Sequence, residues 1–189
     1  MQRPPEPGTP VAVPYVLADG EGEVIRWFGD TITVKSAGPT LDVSMVTAVA
    51  GSELPLHVHG EVDEALFVLE GSLTVVAGSE RLAASAGAFI FLPARVPHAL
   101  VVESGSATLL VIAVPSGSLT MYGEIEERFG PREMPARLRD TDLAVVTPAL
   151  EAHGITVIEP HGATCAVGAD GHRGGSRTQK AHQTMKGER

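Results

Sequence analysis

The chain has 189 residues, 43% of them apolar but only 4% aromatic, and its 21 glycines and 14 prolines favour many short strands over long helices. Its net charge of −9 is uneven: residues 171–189 hold five Lys/Arg and one Glu, so residues 1–170 carry nine basic against twenty-two acidic side chains, or −13. So acidic a body excludes nucleic acid as the main partner, because neutralising phosphates needs basic surface.

Residues 1–14 contain five prolines and read as an extended, flexible leader without an apolar core of signal-peptide length. Val24–Gly29 reads as a short strand whose Trp27 and Phe28 suit core, lid or dimer contacts, with plain packing favoured. Residues 31–36 alternate as a half-buried strand does, and 41–50 repeat the pattern through Leu41, Val43, Met45, Thr47 and Val49. Strands at 57–59 and 64–70 follow, then a hairpin of Leu73–Ala77 and Arg81–Ala83 around Gly78-Ser79. Phe89–Leu92 breaks at Pro93, and His98–Glu103 and Ala107–Val114 complete the series. Short strands with Gly, Pro and Ser at regular intervals predict a sandwich or barrel over residues 15–116.

Past Pro115 the pattern turns helical, which predicts an annex over 117–160 packed on the barrel. Tyr122–Phe129 has helical spacing and stops at Gly130-Pro131. Residues 141–153 suggest a second helix, with Thr147 and Pro148 suited to its N-cap and first turn and Gly154 to its C-cap; Ile155–Ile158 suits a last strand. Residues 161–189 lose apolar periodicity and read as a disordered basic tail. The only cysteine, Cys165, excludes an intramolecular disulfide and fits a reducing compartment. It has no nearby histidine–carboxylate set and reads as inert. No stretch is apolar over the length a bilayer requires, so the expectation is a cytoplasmic protein without membrane contact.

The chemistry concentrates between residues 57 and 98. His57 and His59 stand two apart on a strand, so both imidazoles project to one face. After a short polar turn Glu64 opens the next strand, and a hairpin brings its carboxylate beside them. Two neutral nitrogens and an anionic oxygen suit a divalent first-row metal. His98, after the Pro93 break, is a fourth candidate ligand. Glu53, Glu61 and Asp63 read as solvated rim charges, Asp63 facing away from Glu64. His153, His161, His172 and His182 lack partners at ligand spacing.

The pattern Gly51-x5-His57-x-His59-x4-Glu64-x6-Gly71, then Gly87-x5-Pro93-x4-His98, resembles the cupin superfamily over about residues 24–115. The annex and its Gly-Ile-x-x-Ile-x-Pro turn resemble the C-terminal part of quercetinase-like single-domain cupins. The resemblance implies an all-β jelly-roll β-barrel with a short helical C-terminal annex. It implies one divalent transition metal (Fe, Mn, Co or Ni, with Zn as an option) on His57, His59, Glu64 and His98. In quercetinase-like cupins the matching glutamate is also assigned as catalytic base; Glu64 is either that or a plain ligand. The family usually has Gly where Arg95 stands, relieving a tight bend, and often Asn where Val102 stands. Similar proteins commonly form homodimers by β-edge pairing.

Four protein ligands leave one or two positions open on a five- or six-coordinate metal, the mark of a catalytic site. The expected pocket wall, Met45, Leu66, Val68, Phe89, Phe91, Leu100 and Val102, is apolar and suits a flat aromatic or polyketide-like substrate rather than a sugar nucleotide. The expected function is a metal-dependent dioxygenase that cleaves the ring of such an aromatic enol, with dioxygen as co-substrate. The alternatives are a metal-dependent cyclase or isomerase of an enolisable substrate and a non-catalytic small-molecule binder. The chain has no helix-turn-helix.

Overall fold

Eleven strands and two helices order the chain in a computed structural model that describes residues 14–129 and 134–158. Most of the proline-rich leader, the Gly130-Pro131 stop, Cys165, the later histidines and the basic tail lie outside the described residues. The strands are β1 (Val24–Trp27), β2 (Asp30–Ala37), β3 (Asp42–Val49), β4 (His57–His59), β5 (Asp63–Glu70), β6 (Ser72–Ala77), β7 (Glu80–Ser85), β8 (Phe89–Leu92), β9 (His98–Val102), β10 (Ser106–Val114) and β11 (Ile155–Val157). The helices are α1 (Ser118–Phe129) and α2 (Asp140–Ala152). No helix among the described residues is long and apolar enough to cross a membrane.

The strands form two antiparallel sheets, ordered β1-β2-β3-β10-β5-β8 and β11-β4-β9-β6-β7. The chain crosses between them after β3, β4, β5, β7, β8 and β9, as a jelly roll does, and once more after β10 by way of the two helices. β4 and β9 therefore lie in one wall and β5 in the other, which sets His57, His59 and His98 facing Glu64. Inward residues of both sheets make one core, with Leu66, Val68, Leu73, Val75, Ile90, Leu92 and Leu109 buried within it.

A second core joins the annex to β1 and β2. Trp27, Phe28 and Ile32 meet Leu119, Met121 and Ile125 of α1 and Val146 and Leu150 of α2. Phe28 and Gly29 form the tight turn between β1 and β2, with φ of 40° and 99°. Positive φ at both central positions matches the twist of the flanking strands. For phenylalanine this backbone costs on the order of 1 kcal/mol. Burial of the side chain, worth about 1.5–3 kcal/mol, outweighs it. The ring stands edge-on to Trp27 at 5.0 Å and to Phe129 at 5.3 Å.

Both helices begin earlier than local signals predict. α1 starts at Ser118 because Asp42, from β3, accepts hydrogen bonds from the Gly117 and Leu119 amides at 2.8 and 3.1 Å. A cap supplied from so far away in sequence leaves no local mark. α2 starts at Asp140, after an extended Arg139 whose amide and guanidinium both donate to Asp142. Pro148 is thus inside the helix rather than in its first turn, and Thr147 donates to the Leu143 carbonyl instead of capping. Burying Leu143, Val146, Ala149 and Leu150 on the barrel overrides the local cost of that proline. Gly154 does follow the helix end as expected, with φ of 75°.

Replacing Phe28→Ala should lower the unfolding free energy by about 3 kcal/mol or more in urea denaturation. A loss below about 1 kcal/mol would show that the ring does not tie the annex to β1.

Candidate metal centre

β4 is only three residues long, and its central Val58 separates two imidazoles on the inward face. His57 is directly opposite His98 in the β4–β9 pairing, so the third ring joins the first two across a single rung. All three side chains are buried, His98 to 2% exposure. One nitrogen from each lies within 4.8 Å of the others. Glu64 reaches the group from the opposite sheet, its Oε2 3.8 Å from both His59 Nε2 and His98 Nε2.

Two backbone carbonyls orient the rings. His57 Nδ1–H donates to the Pro55 carbonyl and His98 Nδ1–H to the Val96 carbonyl, each at 2.9 Å. With Nδ1 protonated, the Nε2 lone pair of each ring is left free and directed inward. His57 Nε2 then faces His59 Nε2 at 3.1 Å, while His98 Nε2 is buried without a hydrogen-bond partner among the described residues. Burial disfavours the imidazolium forms: it pushes His57 down to about 3, aided by the neighbouring His98 and His59, and His59 down to about 4. His98 is lowered for the same reason, and burial raises the Glu64 carboxyl. Neutral imidazoles are the form that binds metals. An N3O donor set with a stranded lone pair and converging nitrogens fits a divalent first-row cation.

The centre lines a cavity between the sheets and the annex. Leu66, Leu100 and Val102 line it as expected, together with Trp27, Val46 and Tyr122. The other four expected wall residues do not. Phe89 and Phe91 are 66% and 55% exposed on the outer face of β8, because Ile90 and Leu92 occupy its inward positions. On β3 the inward residues are Asp42, Ser44, Val46 and Ala48, which places Met45 on the other face. Val68 is inward, but it is sealed into the inter-sheet core rather than the cavity wall.

Two acidic residues prove structural rather than rim charges. Glu53 accepts from the Gly51 and Val102 amides at 2.7 and 2.9 Å, tying the loop before β4 to β9. Asp63 accepts from the Ala94 amide at 2.7 Å and holds the turn before His98. Arg95 adopts φ of 66° in that turn, the left-handed backbone that glycine ordinarily provides. Its amide donates to the His59 carbonyl at 2.7 Å and its Nε to the Gly60 carbonyl at 3.2 Å, so the bend is held without glycine. Sequence reasoning missed Asp30, which lines the cavity and accepts from the Val49 amide and the Ser52 hydroxyl. Its signal was parity, since Asp30, Ile32 and Val34 share the buried face of β2. His153 is where expected, outside the barrel, 3.1 Å from Glu124.

Residues 44–115 match the family model described as Cupin domain. The chain is 28% identical over 127 residues to a quercetin 2,3-dioxygenase of Bacillus subtilis (strain 168), an alignment that covers 65% of this chain and 38% of that protein. The chain therefore spans well under half the length of this relative. Similar solved structures include KdgF from Halomonas sp., with a TM-score of 0.52 and 17% identity over 57% of this chain and 99% of the other. An RmlC-like cupin from Shewanella frigidimarina NCIMB 400 gives a TM-score of 0.51 and 18% identity over 57% and 96%. At these identities the two structures speak for the fold alone.

Asp30 supplies a pH dependence of stability. Burial pushes its carboxyl up from 3.8 to about 6, against the hydrogen bonds from Ser52 and Val49 that pull it down. The folded state thus keeps a proton that the unfolded chain releases, so stability should fall as pH rises from about 4 to about 6 and then level off. The difference corresponds to about 3 kcal/mol. Asp30→Asn retains the acceptor oxygen and should flatten this slope in urea denaturation between pH 4 and 7. An unchanged slope would assign it to other groups.

Proposed function

We propose that this chain is a cupin-type, metal-dependent dioxygenase that opens the ring of a flavonol-like or polyketide-like aromatic enol. The observation that carries the reading is the meeting of His57, His59 and His98 from one sheet with Glu64 from the other, in the wall of a largely apolar cavity. The likeness to a quercetin 2,3-dioxygenase supports the reaction type.

A divalent metal held by these four side chains supplies Lewis-acid polarisation of an enol oxygen and access to dioxygen chemistry. The protein's own groups do the rest. The carbonyls of Pro55 and Val96 hold two imidazoles in the tautomer that points Nε2 inward. Glu64 is the proton acceptor for the enol: burial raises its affinity for a proton, and it stands where an incoming hydroxyl would meet the histidines. Trp27, Leu66, Leu100 and Val102 form apolar walls for a flat ring and exclude water. Among the described residues no Lys or Arg lines the cavity, whereas Asp30, Asp42, Glu53 and Glu64 do. Such a wall selects neutral substrates and rejects phosphorylated or carboxylated ones.

Oxygen uptake by protein loaded with Fe, Mn, Co or Ni, in the presence of flavonols, tests the reading; no uptake with any of the four removes it. Product formation under argon would instead identify an isomerase or cyclase that uses the same base. His98→Ala should cut metal content by about tenfold or more. Glu64→Gln should lower kcat by about 100-fold or more while imidazole-bound metal remains measurable by elemental analysis.

A further inference from the structure

The annex forms part of the cavity wall as well as its cover. Ser118, Leu119, Met121 and Tyr122 of α1 line it beside Leu150 and Ile155. Most charged groups along the wall are already engaged. Asp42 is bonded to the start of α1, Asp30 to Ser52 and the Val49 amide, and Glu53 to the Gly51 and Val102 amides. The Tyr122 hydroxyl, by contrast, is bonded to no described residue.

Tyr122 is held firmly. Its ring stands edge-on to Trp27, with centroids 5.1 Å apart and planes at 75°. α1 is pinned on either side of it, by Asp42 at the Gly117 and Leu119 amides and by Glu126, which accepts from the Arg26 amide at 3.2 Å. Burial, reinforced by the charges of Glu64 and then Asp30, holds the phenol pKa well above its ordinary value. The group is therefore a hydrogen donor, and it lines the same cavity as Glu64 and Asp30.

We infer that Tyr122 is a specificity-determining residue for the proposed reaction, donating its hydroxyl hydrogen to a substrate oxygen beyond the pair that chelates the metal. The inference rests on the reading of the site as one for an aromatic enol. The enol and its adjacent carbonyl face the metal and Glu64, and a further hydroxyl or carbonyl oxygen on the same flat molecule accepts from Tyr122. A ligand without that oxygen leaves a buried donor unmatched, which is how a polar site rejects an isosteric analogue. A neutral donor in a wall without cationic side chains selects polyoxygenated, uncharged aromatics.

The test compares quercetin, a polyhydroxylated flavonol, with the flavonol that carries only the chelating hydroxyl and carbonyl. Binding to nickel-loaded protein is measured under argon by quenching of Trp27, the only tryptophan in the chain and part of the cavity wall. Tyr122→Phe keeps the ring on Trp27 and removes only the hydroxyl. It should weaken quercetin binding by about fivefold to tenfold and the bare flavonol by less than about twofold, with metal content and melting midpoint equal to wild type. Equal weakening of both ligands, or of neither, overturns the assignment. Failure of wild type to bind either flavonol overturns both this inference and the reading beneath it. Binding with the expected difference but without oxygen uptake sinks the dioxygenase reading alone.

Discussion

Two hydrogen bonds, from the Nδ1–H groups of His57 and His98 to the carbonyls of Pro55 and Val96, decide what this site can be. They fix the tautomer of two rings that burial already keeps neutral, and so direct the Nε2 lone pairs at a common point. Glu64 brings an anionic oxygen to that point from the facing sheet. A charge buried among neutral groups is costly, and converging lone pairs repel. A cation at the focus would relieve both, and held by these side chains it would also bridge the two walls of the jelly roll.

The annex adds a wall to the cavity that holds this centre. Its attachment depends on aromatic contacts with the β1–β2 hairpin, where Trp27 meets both Phe28 and Tyr122 and Phe28 meets Phe129. Asp42 links the same helix to β3 through two amides. One short segment thus sets cavity shape, water exclusion and the placement of Tyr122. Fold stability and cavity shape are coupled through Trp27, which belongs to the annex core and to the cavity wall at once.

Parity shows where sequence reasoning succeeded and where it failed. His57 and His59 needed only the two-residue repeat of a strand to be placed together, and Glu64 needed only the short turn that follows them. On β3 the same repeat misled. The larger side chains Val43, Met45 and Val49 suggested the inward face, yet Asp42, Ser44 and Ala48 take it because a cavity needs small and polar residues there. On β8 both faces are apolar, Phe89 and Phe91 against Ile90 and Leu92, so periodicity could not choose between them. The cross-strand pairing of Glu64 with Leu92 and of Leu66 with Ile90 made the choice, since those four side chains must share the inner face.

The linear order of residues was enough to place the strands, the turn at Pro93 and the His57–His59–Glu64 cluster, because each depends on spacing over a few residues. His98, by contrast, joined the set through the resemblance and reaches it across the β4–β9 rung. Three-dimensional packing alone settled which side of β3 and β8 is the interior, where the helices begin and which distant groups reach the cavity. Asp42 capping α1, Glu53 bridging to β9 and Tyr122 entering from the annex are contacts between segments far apart in the chain. No local pattern encodes such contacts, since they exist only once burial of the surrounding apolar surface has brought those segments together.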